Sequence, residues 1–126
     1  MIDLRALTLK SSPNQFLVAP DGFGSAKPHK KSSEYALPAA DLARRFREIA
    51  LSEPRTTVAG EGAGGLRFDL VQRSLLFRFP DTISVEVLPL GDRRSTLAIY
   101  SRSKIGYSDW GVNRKRIERW LARIGH

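Results

Sequence analysis

The chain has 126 residues, of which 41% are hydrophobic and 27% charged, as expected of one globular domain and not of a disordered chain. It has no cysteine, which excludes disulfides, thiolate metal sites and cysteine nucleophiles. The formal net charge is +8, and residues 93–126 carry +7 of it, because nine basic residues there stand against two acidic ones. Such asymmetry is typical of a domain with an anionic partner, or of a solvated basic helix face.

No export signal is predicted at the N-terminus, because Asp3 and Arg5 interrupt the apolar residues there. No apolar run approaches the about 20 residues that span a bilayer. We therefore expect a cytoplasmic protein without a transmembrane segment. Residues 1–33 are rich in turn residues and are predicted to form an extended arm, held by its apolar residues 16–18 against a single domain of residues 34–126.

The domain is predicted to begin with a short strand at residues 34–37. A helix follows from Pro38 to near Ser52, because its apolar residues recur at the spacing of one buried stripe. Residues 75–81 are dense in apolar residues and form either a short strand or a bent connection. Alternating or β-branched segments predict four further strands, at residues 56–59, 66–70, 83–87 and 97–100.

A basic helix with an apolar stripe that includes Ile117 and Trp120 closes the chain. The element order is therefore β-α-β-β-β-β-α, which predicts the α+β class, with an antiparallel sheet packed by two helices. The order resembles a helix-grip fold by analogy only, and that analogy implies nothing about function.

Familiar catalytic and cofactor motifs find little support. Gly60, Gly62 and Gly65 match G-x-G-x-x-G, but a strand follows them where a dinucleotide site needs a helix, so a hairpin turn is favoured. His29 and His126 lie outside the patterned elements, so neither a catalytic relay nor a zinc site is indicated. We predict no cofactor and no metal, and lean against an enzyme.

The most unusual segment, residues 101–116, joins the last strand to the last helix. Ser108 is a predicted N-cap, and Asp109 in the first turn complements the helix dipole. Asn113 falls four residues before Ile117, on the inward face, where a buried amide must be hydrogen-bonded.

Two interpretations of this segment stay open. In the first, serine hydroxyls, helix N–H groups, Arg102 and Lys104 converge on an anion or ligand. In the second, the same polar groups lock the strand to the helix. The candidate ligand-binding residues are Ser101, Arg102, Ser103, Lys104, Ser108, Asp109, Asn113 and Arg116.

The sequence from Ser101 to Ile117 has the pattern S-R-S-x-x-G-x-S-D-x-G-V-N-x-x-R-I. With Phe77-Arg78-Phe79-Pro80-Asp81 and Ser12-Pro13-Asn14 upstream, it resembles the bacterial and plastid domain-of-unknown-function family 1499. The resemblance covers most of the chain, although Lys104 stands where many members have arginine. It implies no activity and no catalytic residues.

The resemblance adds emphasis on four further motif positions, Phe79, Asp81, Gly106 and Gly111. The two glycines are expected to adopt backbone angles that other residues avoid. We infer that Asp81 approaches either Arg102 or the start of the last helix, which would bring the two motif blocks together.

Three hypotheses for function follow. The first is a non-catalytic binding domain that holds a small anionic or amphipathic ligand, or a protein partner, between the sheet and the C-terminal helix. The second is nucleic-acid binding through the basic C-terminal helix, with Tyr107 and Trp110 among the basic residues. The third is an enzyme of unknown reaction that uses Asp81 or Asp109 as acid or base.

Overall fold

A computed structural model describes residues 1–106 and 110–125, apart from the side chain of Ala63. This part of the chain forms one six-stranded sheet, in the order β2-β1-β6-β5-β4-β3, and two α-helices. The elements are β1 (Gln15–Ala19), β2 (Lys30–Lys31), α1 (Ala39–Leu51), β3 (Thr56–Gly62), β4 (Arg67–Arg73), β5 (Pro80–Gly91), β6 (Arg94–Ser103) and α2 (Val112–Ile124).

The predicted α+β class and element order are confirmed. Strands β3 to β6 are consecutive antiparallel neighbours, and α1 and α2 pack on one face of the sheet. The first half of the glycine-rich segment, up to Gly62, is the end of β3, and residues 63–66 connect it to β4. Strand β4 follows, and not the helix that a dinucleotide site needs. The sheet is mixed and not wholly antiparallel, because β2 pairs with β1 in parallel.

The strand predicted at residues 34–37 is wrong. Tyr35 forms only an isolated bridge with Ser95, because the carbonyls on either side of it, of Ser33 and Leu37, accept from the side-chain hydroxyls of Thr96 and Ser95 and not from a backbone ladder. Two strands precede α1 in the sheet, β1, whose residues are all buried, and the two-residue edge strand β2.

Strand β1 lies inside the sheet, between β2 and β6, although its residues belong to the predicted arm. The division into an arm of residues 1–33 and a domain of residues 34–126 stays a prediction. Residues before β1 also pack on the domain, since Leu4 is buried with Leu17 and Tyr100 on the face of the sheet away from the helices.

The larger core lies between the sheet and the two helices. Trp120 of α2 is fully buried there and meets the ring of Phe46 edge-on, with ring centroids 5.8 Å apart. Residues 74–79 connect β4 to β5 outside this core, so the bent connection is the alternative observed. Neither described helix has the length and apolar composition that crossing a bilayer requires.

Candidate functional site

A buried ion pair joins the two motif blocks. Arg116, in α2, donates from Nη2 to Asp81 Oδ2 at 2.7 Å, and the two side chains are only 5% and 14% exposed. The expectation that Asp81 meets the start of the last helix is therefore confirmed. Arg102, the other partner considered, does not form this pair.

The remaining donors of Arg116 are also bonded. Its Nε donates to Gln72 Oε1 at 2.7 Å, and its Nη1 donates to Asn113 Oδ1 at 2.8 Å and to Ser101 Oγ at 3.0 Å. A buried charge is costly unless it is paired and hydrogen-bonded, and this guanidinium is both.

Asn113 connects the start of α2 to β6 and to the residue before β1. Its Oδ1 also accepts from Ser101 Oγ at 2.6 Å, while its Nδ2 donates to Ser103 Oγ at 2.9 Å and to the Asn14 carbonyl at 3.3 Å. The prediction of a buried, hydrogen-bonded amide at this position is confirmed. Since Ser101 and Ser103 lie in β6, these bonds fix the angle at which α2 meets the sheet.

The hydrogen bonds continue beyond the motif. Gln72 Nε2 donates to Glu53 Oε1 at 3.0 Å, and Arg119 donates to both carboxylate oxygens of Glu53 at 2.6 and 2.7 Å. Hydrogen bonding from Arg119 is the main reason that the pKa of Glu53 is lowered to about 2, although burial opposes the shift. The pair likewise raises the pKa of Arg119.

We call this set of bonded side chains the polar network. It reaches α2, three of the sheet strands, the segment just after α1 and the residue before β1. Its members are Asn14, Glu53, Gln72, Asp81, Ser101, Ser103, Asn113, Arg116 and Arg119.

Arg102 lies on the opposite face of the sheet from the polar network. Its Nη1 donates to Ser84 Oγ at 2.7 Å, and its guanidinium carbon lies 4.9 Å from the centre of the Tyr100 ring. Burial lowers the pKa of Arg102, and the charge of Asp69 opposes that shift. Because side chains alternate along a strand, Arg102 cannot share a site with Ser101 and Ser103.

The other predicted site residues lie after β6. Lys104 is exposed, and the carbonyl of Gly106 accepts from Asn14 Nδ2 at 2.7 Å. Gly106 and Gly111 have φ angles of 85° and 78°, which confirms that both adopt the left-handed conformation. Helix α2 begins at Val112 with Gly111 as its N-cap, and its first turn holds no acidic residue, so the predicted N-cap role of Ser108 and first-turn role of Asp109 are wrong. Ser108 and Asp109 themselves lie outside the described residues, and their predicted part in ligand binding stays a prediction.

Large apolar side chains are exposed at the same end of the sheet. Leu75, Leu76 and Phe77, in the β4–β5 connection, are 73%, 80% and 68% exposed. This connection adjoins the segment after β6, because the last β5–β6 pair is Asp81 with Ser103. We call the exposed set the apolar tip, which consists of Leu75, Leu76, Phe77, Phe79, Ile105, Trp110 and Val112.

The β4–β5 connection has a defined conformation. Ser74 N donates to the Phe79 carbonyl, and Phe79 N donates to Ser74 Oγ, each at 3.0 Å. The rings of Phe77 and Phe79 stack with centroids 5.4 Å apart. Arg78 between them has a φ of 58°, an unfavourable angle for a residue with a side chain, and strain of this kind often marks functional sites.

Two surface clefts, of about 380 and 270 Å³, lie away from the motif. The first is lined by residues 2–4, 66–67 and 86–89, and the second by residues of α1 with residues 64–66. Neither includes a predicted ligand-binding residue. Where α2 meets the sheet beside the motif, the side chains of the polar network bond to one another.

The basic residues of α2 are largely bonded within the domain. Besides Arg116 and Arg119, Arg123 donates to Ser52 Oγ at 2.8 Å, and Arg114 pairs with Glu118 at 3.1 Å. Within residues 1–106 and 110–125, no group of His, Asp and Glu side chains has the arrangement of a metal site.

These features define a class of protein, an α+β domain in which a buried polar network ties the C-terminal helix to a mixed sheet. The sequence pattern of the family described as a protein of unknown function, DUF1499, matches residues 7–124. The chain belongs to this family. Comparison with curated proteins found no match, and comparison with solved structures found none.

Sequence reasoning missed three members of the polar network, Arg119, Glu53 and Gln72. Arg119 was counted only among the basic residues of the last helix. Glu53 stands before Pro54 at the end of α1, and Gln72 stands in a strand, so neither position carries a motif. Asn14 was part of the family resemblance, but its carbonyl bond to Asn113 depends on a contact 99 residues distant along the chain. No local pattern signals a contact of that range.

Proposed function

We propose that this chain is a non-catalytic binding domain, and that its binding surface is the apolar tip together with the basic residues beside it. The observation that carries the proposal is the exposure of Leu75, Leu76 and Phe77 on a connection with a defined conformation. Scattered apolar residues are normal on a protein surface, but an exposed apolar cluster with a polar rim is typical of an interaction site.

The polar network fits this proposal because it lies beneath the binding surface and holds the elements that carry it. Ser101, Ser103, Asn113 and Arg116 bond mainly to one another and to Asp81, so their hydrogen-bonding capacity is used within the domain. In this proposal they hold the ends of β5, β6 and α2 together. Lys104 is the member of the predicted set that would contact the partner directly.

The two other hypotheses have weaker support. For catalysis, Asp81 is engaged by Arg116, and a general acid or base needs a carboxyl group that reaches its substrate. For nucleic-acid binding through α2, Arg116, Arg119 and Arg123 already donate within the domain. A cytoplasmic location is part of our proposal, and fractionation of the native host tests it.

Photo-crosslinking in the native host tests the binding surface. A photoreactive phenylalanine is placed at position 77, in the apolar tip, and at position 90, at the far end of β5. Leu90 is a matched control because it is an exposed apolar residue on the other hairpin of the same strand. We expect a defined lipid or protein adduct at position 77 and none at position 90.

The same adducts at both positions, or none at position 77, would contradict the proposed surface. The mass of the adduct distinguishes a lipid from a protein.

A further inference from the structure

We infer that the apolar tip docks on the anionic surface of a lipid bilayer. This inference rests on the proposed function, because it names the partner of the same surface.

The shape of the apolar tip fits insertion into a lipid interface. Leu75, Leu76 and Phe77 are consecutive and protrude from the end of a hairpin, and none of them lines either cleft. Three consecutive side chains on one turn bury little area against a rigid protein, for which a stable interface takes about 800 Å² per partner. A fluid interface closes around such a protrusion and buries all of it.

The backbone at the base of the connection also suits this environment. Polar backbone groups are costly in lipid unless they are hydrogen-bonded. The two bonds between Ser74 and Phe79 close the base of the connection, and Arg73 Nη1 donates to the Arg78 carbonyl at 3.0 Å. Trp110 is 88% exposed, and tryptophan is enriched at the level of lipid headgroups.

The charges beside the apolar tip are complementary to anionic headgroups. Arg78, Lys104 and Lys115 are exposed, and none of them forms an ion pair within the described residues. The sequence has no acidic residue from 70 to 80 or from 102 to 106. Basic residues near an anionic leaflet each contribute to membrane attraction, which salt screens.

The same charges argue against self-association through this surface. A symmetric dimer would place Arg78 and Lys104 of one copy near the same residues of the other. An acidic protein partner would complement the basic residues, but it would bury little of the apolar tip. The crosslinking experiment detects such a partner separately.

Vesicle binding by the full chain tests the inference. The probes are vesicles of phosphatidylcholine alone, and vesicles with an equal share of phosphatidylserine, at low and at high salt. The two tryptophans give the readout, because Trp110 is exposed and Trp120 is fully buried. We expect co-sedimentation and a blue shift of emission with the anionic vesicles at low salt, and no blue shift in Trp110→Phe.

Two pairs of variants separate insertion from simple charge attraction. Leu76→Ser with Phe77→Ser should lower partitioning into anionic vesicles at least about tenfold, whereas Leu90→Ser should not. Arg78→Gln with Lys104→Gln should weaken binding more than Arg93→Gln with Lys27→Gln, which removes the same charge elsewhere.

The inference is overturned if the native chain does not bind anionic vesicles at low salt. It is also overturned if Leu76→Ser with Phe77→Ser binds as well as Leu90→Ser, since attraction would then need no insertion. If vesicle binding fails while position 77 still gives a defined protein adduct, the bilayer is the wrong partner and the proposed function stands. If both fail, the proposed function falls as well.

Discussion

The polar network and the apolar tip lie at the same end of the sheet but reverse the usual arrangement of a protein. Charged and amide side chains are buried beneath α2, while leucine and phenylalanine protrude into solvent. Both departures are informative, since buried polar groups and exposed apolar clusters are the exceptions in a folded domain. The buried groups bond to one another, so we assign them to stability. The exposed side chains of the apolar tip have no such role in the fold, so we assign them to binding a partner.

Arg116 is the residue on which the polar network depends most. Arg116→Ala leaves the Asp81 carboxylate buried without its cation, so we expect a loss of about 3–5 kcal/mol in the free energy of unfolding, measured by urea denaturation. Arg114→Ala removes an exposed arginine from the same helix and should cost no more than about 1 kcal/mol. Equal losses in the two variants would mean that the polar network does not stabilise the fold.

A double-mutant cycle shows which arginine Asp81 depends on. Asp81→Asn and Arg116→Gln should be coupled by more than about 1 kcal/mol in unfolding free energy, because the side chains are in contact. Asp81→Asn and Arg102→Gln should be additive within about 0.5 kcal/mol, because Arg102 lies on the other face of the sheet. The reverse pattern would contradict the ion pair between β5 and α2.

Glu53 makes the stability of the polar network depend on pH. Its pKa is about 2 in the folded chain and 4.5 when unperturbed, so the folded state binds this proton less tightly than the unfolded state. The stabilisation is fully present above pH 4.5 and is lost as the pH falls towards 2.

Glu53→Gln should therefore lower the unfolding free energy by about 1 kcal/mol at neutral pH and flatten the acid limb of the stability curve. Glu118→Gln, which removes the exposed partner of Arg114, is the control and should leave the acid limb unchanged. If only Glu118→Gln flattened the acid limb, the pH dependence would belong to Glu118, and the role given to Glu53 would be contradicted.

The apolar tip should have the smallest effect on stability. Leu76→Ser with Phe77→Ser changes exposed side chains, so the unfolding free energy should stay within about 0.5 kcal/mol of the original chain. Thermal and urea denaturation measure this. A loss as large as that of Arg116→Ala would mean that the connection packs as part of the core, and the contrast between the two regions would disappear.

The fold was predictable where the signal is local. The stripe with Leu42 and Phe46 predicted α1, and the alternation around Phe68 and Val85 predicted strands of the sheet. Strand β1 was not recognised as part of the sheet, because its residues 15–19 carry no alternation and are buried on both faces. Such a run cannot be separated from an extended arm by periodicity alone.

The site was predictable in part. The position of Asn113 on the inward face predicted a buried amide, and strand alternation placed Ser101 and Ser103 on one face. The same alternation places Arg102 on the other face, so its separation from Ser101 and Ser103 was also predictable from the sequence. The contributions of Glu53 and Gln72 depend on how α1 and β4 meet α2, and no local pattern encodes that meeting.

The place of β1 has a consequence for the way the chain is synthesised. Gln15 accepts a hydrogen bond from the Tyr100 hydroxyl, 85 residues later in the chain. The strand made first therefore finds its antiparallel neighbour only when β6 has left the ribosome, after the β3–β5 strands have become free to pair. Until β6 is made, the apolar residues of β1 lack their antiparallel neighbour, and an unpaired apolar strand is prone to pair with other chains.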